Sequence, residues 1–195
     1  MSITPKLVLA SSSPYRRALL EKLQVDFITG SPKIDETPLP HETPQKLALR
    51  LCKLKAYALR KKYPKHLIIG SDQVAVLNDM QLHKPENRAN SIKQLTLAAG
   101  REVNFFTAVG VLDSNSGQFF SDLDCCTATF RQLTGDQIKH YVDKEKPYDC
   151  AGAFKSEGLG IALFESIKGE DPNALIGLPL IKLITLLENC SFKII

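Results

Sequence analysis

Two arginines occupy the start of a predicted helix, where acidic residues are usual because a helix N-terminus carries partial positive charge. Arg16 and Arg17 follow a run of three hydroxyl residues at 11–13. Their guanidinium groups, the hydroxyls and the free backbone N–H groups of the helix are therefore predicted to converge on one point. Such donors hold a phosphate or pyrophosphate group. The residue types alone predict only that this stretch, with Ser11, Ser13 and Arg16, binds a phosphorylated compound.

The elements around these residues have the form that an anion site needs. Residues 7–10 predict a short buried strand, Ser13 a helix N-cap, and Pro14 the first helical position, where an N–H is not required. The stretch is neither a Walker A loop nor a Rossmann fingerprint, because the glycines of both motifs are absent. The alternative is an ordinary strand–turn–helix with surface arginines, and the direct passage from strand to capped turn favours the anion site.

A carboxylate inside an apolar strand is the second chemical signal. Residues 67–77 are almost continuously apolar, interrupted only by Gly-Ser-Asp-Gln at 70–73. Such a run is typical of a strand buried on both faces, where a carboxylate is unfavourable unless it is paired or bound to metal. Gly70 indicates a bulge or a close backbone approach. Asp72 is therefore the strongest candidate for a general base or metal ligand. The alternative is an acid that backbone groups satisfy at the end of a shorter strand.

A lysine lies at the margin of an apolar helical stripe. Thr43 and Pro44 predict the start of a helix that runs to about Lys62. At a helical spacing of about 100° per residue, Lys55 falls beside the apolar stripe. It either extends its ammonium group to solvent or projects from the buried side into a cleft. The other basic side chains of this helix are interpreted as mostly solvated: Lys46, Arg50, Lys53, Arg60 and Lys61.

Two loops carry charged residues. Residues 31–43 are rich in proline and contain the acidic pair Asp35-Glu36. Such a pair is usually solvated, but proline can hold a carboxylate in a fixed geometry. Residues 148–160 include three glycines among small residues, together with Lys155 and Glu157. This composition indicates a backbone that passes close to a ligand, and the alternative is a simple connection to the next strand.

Apolar periodicity and turn residues predict the remaining elements. Residues 134–137 have the pattern of a capping box before a helix at about 136–143. The other predicted strands are 25–29, a short return strand within 78–84, a hairpin formed by 103–112 and 118–130, and 160–164. The other predicted helices are 89–98 and 179–188.

Length and composition limit the classes of function. The chain has 195 residues, enough for one domain or for two lobes around a cleft, and a mild net charge of +4. This charge suits an enzyme for small anions and argues against nucleic-acid binding, which usually brings a stronger basic cluster. Five cysteines without a signal-peptide profile predict free thiols in the cytoplasm, and no apolar run approaches the length of a membrane span.

Together these stretches resemble the Maf family of nucleoside triphosphate pyrophosphatases. The resemblance runs nearly end to end. The matching motifs, in order, are LASSSPYRR at 9–17, DETP at 35–38, IGSDQV at 69–74, KP at 84–85, AGAFKSEG at 151–158 and GLPL at 177–180.

The resemblance implies a fold and an activity. The expected fold is a single domain over residues 1–195, mixed α/β, with a strongly twisted sheet flanked by helices and two lobes around a central cleft, akin to the inosine triphosphatase-like enzymes. The expected activity is hydrolysis between the α- and β-phosphates of a nucleotide, with a divalent cation (Mg²⁺ or Mn²⁺). A cytoplasmic homodimer that removes modified nucleotides from the pool is expected.

The resemblance also assigns residues to roles. Asp72 matches the proton acceptor of the family, and Arg16, Glu36, Lys55 and Lys84 match its other polar cleft positions. Arg16, Lys55 and Lys84 can offset the charge of a triphosphate, and Asp72 can deprotonate the attacking water. Glu36 and Asp72 can hold the metal, since Mg²⁺ prefers oxygen ligands. How these two carboxylates divide metal binding and base catalysis is left open.

Three matched positions concern the choice of base. Tyr15, Gln73 and Glu157 resemble the subfamily that acts on 7-methyl-GTP more than the branch that acts on dTTP and UTP. The positive charge of 7-methylguanine favours an aromatic face such as Tyr15, and its N–H edge can donate to Glu157. His83 departs from the family pattern, in which a glycine commonly precedes Lys84. The alternatives are a dTTP/UTP pyrophosphatase and a nucleotide-binding regulator that does not hydrolyse its ligand.

Overall fold

The computed structural model describes residues 6–195. The strands are β1 (Lys6–Ala10), β2 (Phe27–Gly30), β3 (His66–Leu77), β4 (Met80–Leu82), β5 (Glu102–Asp113), β6 (Phe119–Phe130) and β7 (Phe164–Lys168). The α-helices are α1 (Pro14–Glu21), α2 (Pro44–Ala58), α3 (Arg88–Ala98), α4 (Gly135–Glu145) and α5 (Leu180–Asn189). Two short 3₁₀ helices cover Leu159–Leu163 and Ala174–Ile176.

The seven strands form one mixed sheet in the order β2-β1-β3-β5-β6-β7, with β4 paired to β3. β1 is parallel to both β2 and β3, whereas β4 is antiparallel to β3 and β7 is antiparallel to β6. Helices flank this sheet, so the predicted mixed α/β class is confirmed. The chain divides into two compact units, and the expected single domain stays a prediction.

The first unit contains the chain up to Gln73, Thr107–Asp124 and Asp171–Ile195. Alternate residues of β1 serve two different apolar clusters, because successive side chains of a strand point to opposite faces. Leu7 and Leu9 pack with apolar residues of α1 and α5, such as Leu183, while Val8 packs with Ala56 of α2. Helices therefore cover both faces of β1, which explains its uninterrupted apolar sequence.

The second unit contains Val74–Phe106 and Cys125–Glu170. Its core includes four phenylalanines in edge-to-face contacts: Phe105, Phe130, Phe154 and Phe164. Arg88 of α3 forms a two-pronged ion pair with Asp143 of α4, at 2.6 and 2.9 Å. The predicted capping box at the start of α4 is confirmed, with Thr134 and Gln137 bonded reciprocally.

One predicted strand is wrong, and one predicted helix is too long. The strand expected at 160–164 is a 3₁₀ helix at Leu159–Leu163, and the strand begins only at Phe164. Gly160 lies so close to the Lys155 carbonyl that a Cβ there would come within 2.2 Å of it, which requires a tight turn rather than an extended chain. Helix α2 ends at Ala58 instead of near Lys62, because the chain turns back on the carbonyl of Leu59.

Candidate active site

The first unit contains a buried ion pair between Lys55 and Asp72. The ammonium Nζ of Lys55 lies 2.5 Å from Oδ1 of Asp72 and 2.8 Å from Oε1 of Glu36. Lys55 is 8% exposed and Asp72 6% exposed, whereas the Glu36 side chain is 58% exposed. Lys55 therefore does not extend to solvent. One buried carboxylate and one accessible carboxylate share its positive charge.

Gly70 allows this ion pair to form. A Cβ on Gly70 would come within 2.3 Å of the backbone oxygen of Cys52, so no side chain fits between β3 and α2. The thiol of Cys52 donates to the carbonyl of Gly70 at 3.3 Å, which fastens the same contact. Lys55 follows Cys52 by one helical turn and Asp72 follows Gly70 by two residues. The predicted close backbone approach at Gly70 is therefore confirmed, and it brings the ammonium group to the carboxylate.

Burial dominates the electrostatics of Asp72. Loss of hydration raises the pKa of this carboxyl above its ordinary value, although the charges of Lys55 and Arg16 and the hydrogen bond from Lys55 oppose the rise. Burial, assisted by the negative charge of Asp72, raises the pKa of the Cys52 thiol to about 12. Cys52 is consequently a neutral packing residue, and Asp72 is a better proton acceptor near neutral pH than an exposed carboxylate.

The hydroxyl turn between β1 and α1 has the predicted capping geometry. Ser13 caps α1 by accepting from the backbone N–H of Arg16 at 3.3 Å. The Ser11 hydroxyl in turn accepts from the backbone N–H of Ser13 at 3.1 Å. Both serines therefore fix the start of α1, and Tyr15 lies partly buried in its first turn.

The two arginines of α1 make different contacts. Arg16 is held through Nε, which donates to the carbonyl of Gly177 at 2.8 Å, and the Ser71 hydroxyl donates to the same oxygen at 2.9 Å. Arg17 instead pairs with Glu21 at 3.0 Å, with its side chain 62% exposed. The prediction that two guanidinium groups converge on the turn is wrong for Arg17, because a carboxylate one helical turn away binds it.

The amide of Gln73 is fixed from the protein side. Its Nε2 donates to the hydroxyl of Thr107 at 3.0 Å and to the carbonyls of Ala174 and Leu175 at 3.0 and 3.1 Å. The donor end of this side chain is therefore engaged with the chain itself. Gln73 directly follows Asp72 on β3, so the two predicted site residues share one rigid strand.

Lys84 belongs to the second unit, where its side chain is exposed on a well-anchored loop. The loop carbonyl of His83 accepts from Gln94 at 2.9 Å, and the N–H of Glu86 donates to the carbonyl of Tyr148 at 2.8 Å. Glu86 adopts a positive φ of 65°, whereas His83 is not among the described residues with positive φ. Histidine therefore replaces the glycine common at this position without backbone strain.

The glycine-rich loop of the second unit is fastened to α4. The backbone N–H of Lys155 donates to the hydroxyl of Tyr141 at 3.0 Å, and its Nζ donates to the carbonyl of Glu145 at 2.8 Å. The carboxylate of Glu145 also accepts from the N–H of Leu159 at 3.1 Å. Lys155 thus has a structural partner, and Glu157 lies exposed between these anchors.

Sequence reasoning missed Arg50. Its guanidinium does not point freely into solvent but binds the carboxylate of Glu42 at 2.6 and 2.8 Å and the carbonyl of Thr37 at 3.0 Å. The interpretation of Arg50 as a solvated charge is wrong. The partners lie in the preceding loop, eight and thirteen residues away, and helical spacing carries no signal for such contacts.

The donor set suits a hard divalent cation. The carboxylates of Asp72 and Glu36 both reach one positive charge, the ammonium of Lys55, and carboxylate oxygens are the ligands that Mg²⁺ prefers. Within residues 6–195 no group of three or more His, Cys, Asp or Glu side chains is placed to hold a metal. Asp72 and Glu36 are the two carboxylates that this cluster could offer to such a cation.

Comparison with known proteins shows first the fold and then the family. The solved structure of a HAM1 protein from Coxiella burnetii has the same fold, with a TM-score of 0.53 at 15% identity, covering 95% of this chain and 99% of that one. Residues 6–190 match the family model described as Maf-like protein. The chain belongs to the Maf family.

Curated relatives match nearly the whole chain. A protein of Vibrio vulnificus (strain CMCP6) named 7-methyl-GTP pyrophosphatase is 52% identical over 190 residues, covering 97% of each chain. A protein of the same name from Pseudoalteromonas translucida (strain TAC 125) is 51% identical, covering 97% of this chain and 94% of its own length. In residues 6–195 no helix has the length and apolar character needed to cross a membrane.

Proposed function

We propose that this chain is a nucleoside triphosphate pyrophosphatase that hydrolyses 7-methyl-GTP to 7-methyl-GMP and pyrophosphate. The observation that carries the proposal is the buried Asp72 carboxylate held by Lys55 in a chain of the Maf family. Full-length relatives about half identical to it bear the name of this activity. The proposal places the chain among the hydrolases that act on acid anhydrides.

The chain's own residues supply the acid–base and electrostatic chemistry. Asp72 accepts a proton from the water molecule whose oxygen bonds to the α-phosphorus. The bond from that phosphorus to the α–β bridging oxygen breaks, and pyrophosphate leaves with the electron pair. Lys55 and Arg16 offset the negative charge on the phosphates, with Arg16 oriented by its bond to Gly177. Burial strengthens these interactions because little water screens them.

A divalent cation, Mg²⁺ or Mn²⁺, belongs to the proposal. Asp72 and Glu36 would hold it, and when bound it would neutralise phosphate charge and polarise the phosphoryl oxygens. Glu36 suits this role through its accessibility, and Asp72 suits the role of base through its burial. Lys84 and the N-terminus of α1, with Ser11 and Ser13, are proposed to bind the phosphates.

Recognition of the nucleobase is assigned to three residues, Tyr15, Gln73 and Glu157. The ring of Tyr15 is proposed to face 7-methylguanine, whose positive charge an aromatic face attracts. Glu157 would accept from the N–H edge of the base. Gln73 would contribute through its side-chain oxygen, because its Nε2 already donates to Thr107 and to the backbone of the first unit.

The test is pyrophosphate release from 7-methyl-GTP, GTP, dTTP, UTP and CTP, each with Mg²⁺ or Mn²⁺. The proposal predicts the highest kcat/KM for 7-methyl-GTP. A preference for dTTP or UTP would instead give a pyrophosphatase of the other branch. Tight nucleotide binding without release from any compound would give a regulator that does not hydrolyse its ligand. A homodimer and the removal of modified nucleotides stay predictions of the family resemblance, and a cytoplasmic location stays a prediction from the cysteine content and the N-terminal sequence.

A further inference from the structure

Helix α2 holds the acidic loop through Arg50. Nε and Nη2 of Arg50 bind the two carboxylate oxygens of Glu42 at 2.6 and 2.8 Å, and Nη2 also donates to the carbonyl of Thr37 at 3.0 Å. Two-pronged arginine–carboxylate pairs fix orientation as well as distance. The Glu42 side chain is 7% exposed and that of Arg50 is 24% exposed, so this is a largely shielded contact.

Hydrogen bonds within the acidic loop also fix its backbone next to the Arg50–Glu42 ion pair. Glu42 accepts from the backbone N–H of Leu39 at 3.0 Å, and Asp35 accepts from the N–H of Thr37 at 2.9 Å. The hydrogen bond from Arg50 lowers the pKa of Glu42 to about 2. The pair therefore stays ionised across the neutral range, and the backbone from Asp35 to Glu42 has fixed attachment points on α2.

The bond from Arg50 to the Thr37 carbonyl restrains the neighbouring residue, Glu36. Its side chain is mostly exposed, and its described ion pair is with Lys55, which stands five residues after Arg50 on the same helix. The exposed Glu36 side chain loses conformational entropy when it pairs with Lys55. This entropic cost weakens an ion pair at the surface unless other contacts already hold the side chain in place. The adjacent Thr37 carbonyl, bound by Arg50, limits how far the backbone of Glu36 can move.

We propose that Arg50, together with Glu42, is a positioning residue that keeps the Glu36 carboxylate beside Lys55 and Asp72. Its kinetic consequence rests on the proposed function, because Glu36 matters for turnover only if the cluster acts on a nucleotide with a cation. Removing Arg50 then lowers turnover through Glu36. Residues that support a metal ligand typically contribute about 10–100-fold to metal affinity or activity.

A double-mutant cycle tests this dependence. Arg50→Ala is expected to lower kcat for 7-methyl-GTP about 10-fold, and less than about 2-fold when Glu36→Gln is already present, because coupled residues are non-additive. Glu42→Gln, which retains the side-chain shape, gives the same pattern if Arg50→Ala does not fold. Arg88→Ala is the matched control, since Arg88 forms an equally two-pronged pair with Asp143 in the second unit. Equal losses in both Glu36 backgrounds would overturn the proposal.

Two measurements do not depend on turnover. Arg50→Ala and Glu42→Gln are expected to weaken Mn²⁺ binding measured by calorimetry and to speed hydrogen exchange at the Leu39 amide, whereas Arg88→Ala changes neither. Unchanged Mn²⁺ binding and unchanged exchange would also overturn the proposal. If the wild-type protein releases no pyrophosphate, the proposed function fails, while these two measurements still decide whether Arg50 positions Glu36.

Discussion

The two units hold their candidate site residues in different ways. In the first unit the side chains themselves are fixed, since Asp72 and Glu36 both pair with Lys55, and Lys55 and Asp72 are buried. In the second unit the backbone is fixed by several hydrogen bonds, while the side chains of Lys84 and Glu157 are exposed. Bond-making steps need charges held in a poorly hydrated setting, whereas recognition of a nucleobase needs a few polar and aromatic side chains held at the correct place. The difference predicts that proton transfer depends on the buried carboxylate of the first unit, whereas the exposed Glu157 of the second unit contributes to nucleobase preference together with Tyr15 and Gln73 of the first unit.

The largest expected difference between the units is the loss of stability when a lysine is removed from each, Lys55 from the first and Lys155 from the second. Lys55→Ala leaves the buried Asp72 carboxylate without its cation and is expected to lower the free energy of unfolding by about 3–5 kcal/mol at neutral pH. Lys155→Ala removes one bond to the Glu145 carbonyl and is expected to cost about 1 kcal/mol. Urea denaturation of both variants measures the loss in the free energy of unfolding. Equal losses would mean that the two lysines have equivalent structural roles.

Adding a methyl group at two glycines tests the contact between β3 and α2. Gly70→Ala forces Cβ against the Cys52 carbonyl and is expected to destabilise the fold by about 1–3 kcal/mol and to reduce turnover, because Lys55 moves with its helix. Gly135→Ala is the control, since nothing lies within 4 Å of a Cβ at Gly135. Thermal unfolding and initial rates report both effects. Normal turnover in Gly70→Ala would show that the close approach does not position Lys55.

The raised pKa of Asp72 predicts that both the free energy of unfolding and kcat/KM depend on pH. Between the ordinary carboxyl value and the higher folded value, the folded protein holds more protons than the unfolded chain, so stability from this group falls as the pH rises through that window. Asp72→Asn should therefore gain stability relative to wild type as the pH rises from the ordinary carboxyl pKa through the higher pKa of the folded protein. In the wild type, kcat/KM should fall as Asp72 becomes protonated at low pH. Parallel stability curves, or activity unchanged down to pH 4, would contradict the assignment.

Tyr15 gives the smallest expected effect and sharpens the account of base choice. Tyr15→Ala is expected to reduce kcat/KM for 7-methyl-GTP about 5–10-fold more than for GTP, because only the methylated base carries the positive charge that the ring attracts. Tyr15→Phe, which keeps the aromatic face, should preserve the preference. Equal losses for both nucleotides in Tyr15→Ala would remove the stacking role.

Local signals in the sequence predicted the parts of the site that depend on neighbouring residues. The apolar run around Asp72, the close approach at Gly70 and the Ser13 cap each follow from residue types within a few positions. Contacts between distant segments were not predictable in this way. The pairing of Arg50 with Glu42 and the bond from Arg16 to Gly177 depend on how loops return to a helix.

Comparing Asp72→Asn with Glu157→Gln on two substrates tests the central claim most directly. We would measure kcat/KM for 7-methyl-GTP and for UTP with each variant. The account predicts that Asp72→Asn lowers both values about 10²–10⁴-fold and leaves their ratio unchanged, because proton transfer does not depend on the base. Glu157→Gln should lower the value for 7-methyl-GTP alone and so change the ratio. A changed ratio in Asp72→Asn, or equal losses in Glu157→Gln, would contradict the division between chemistry and base choice.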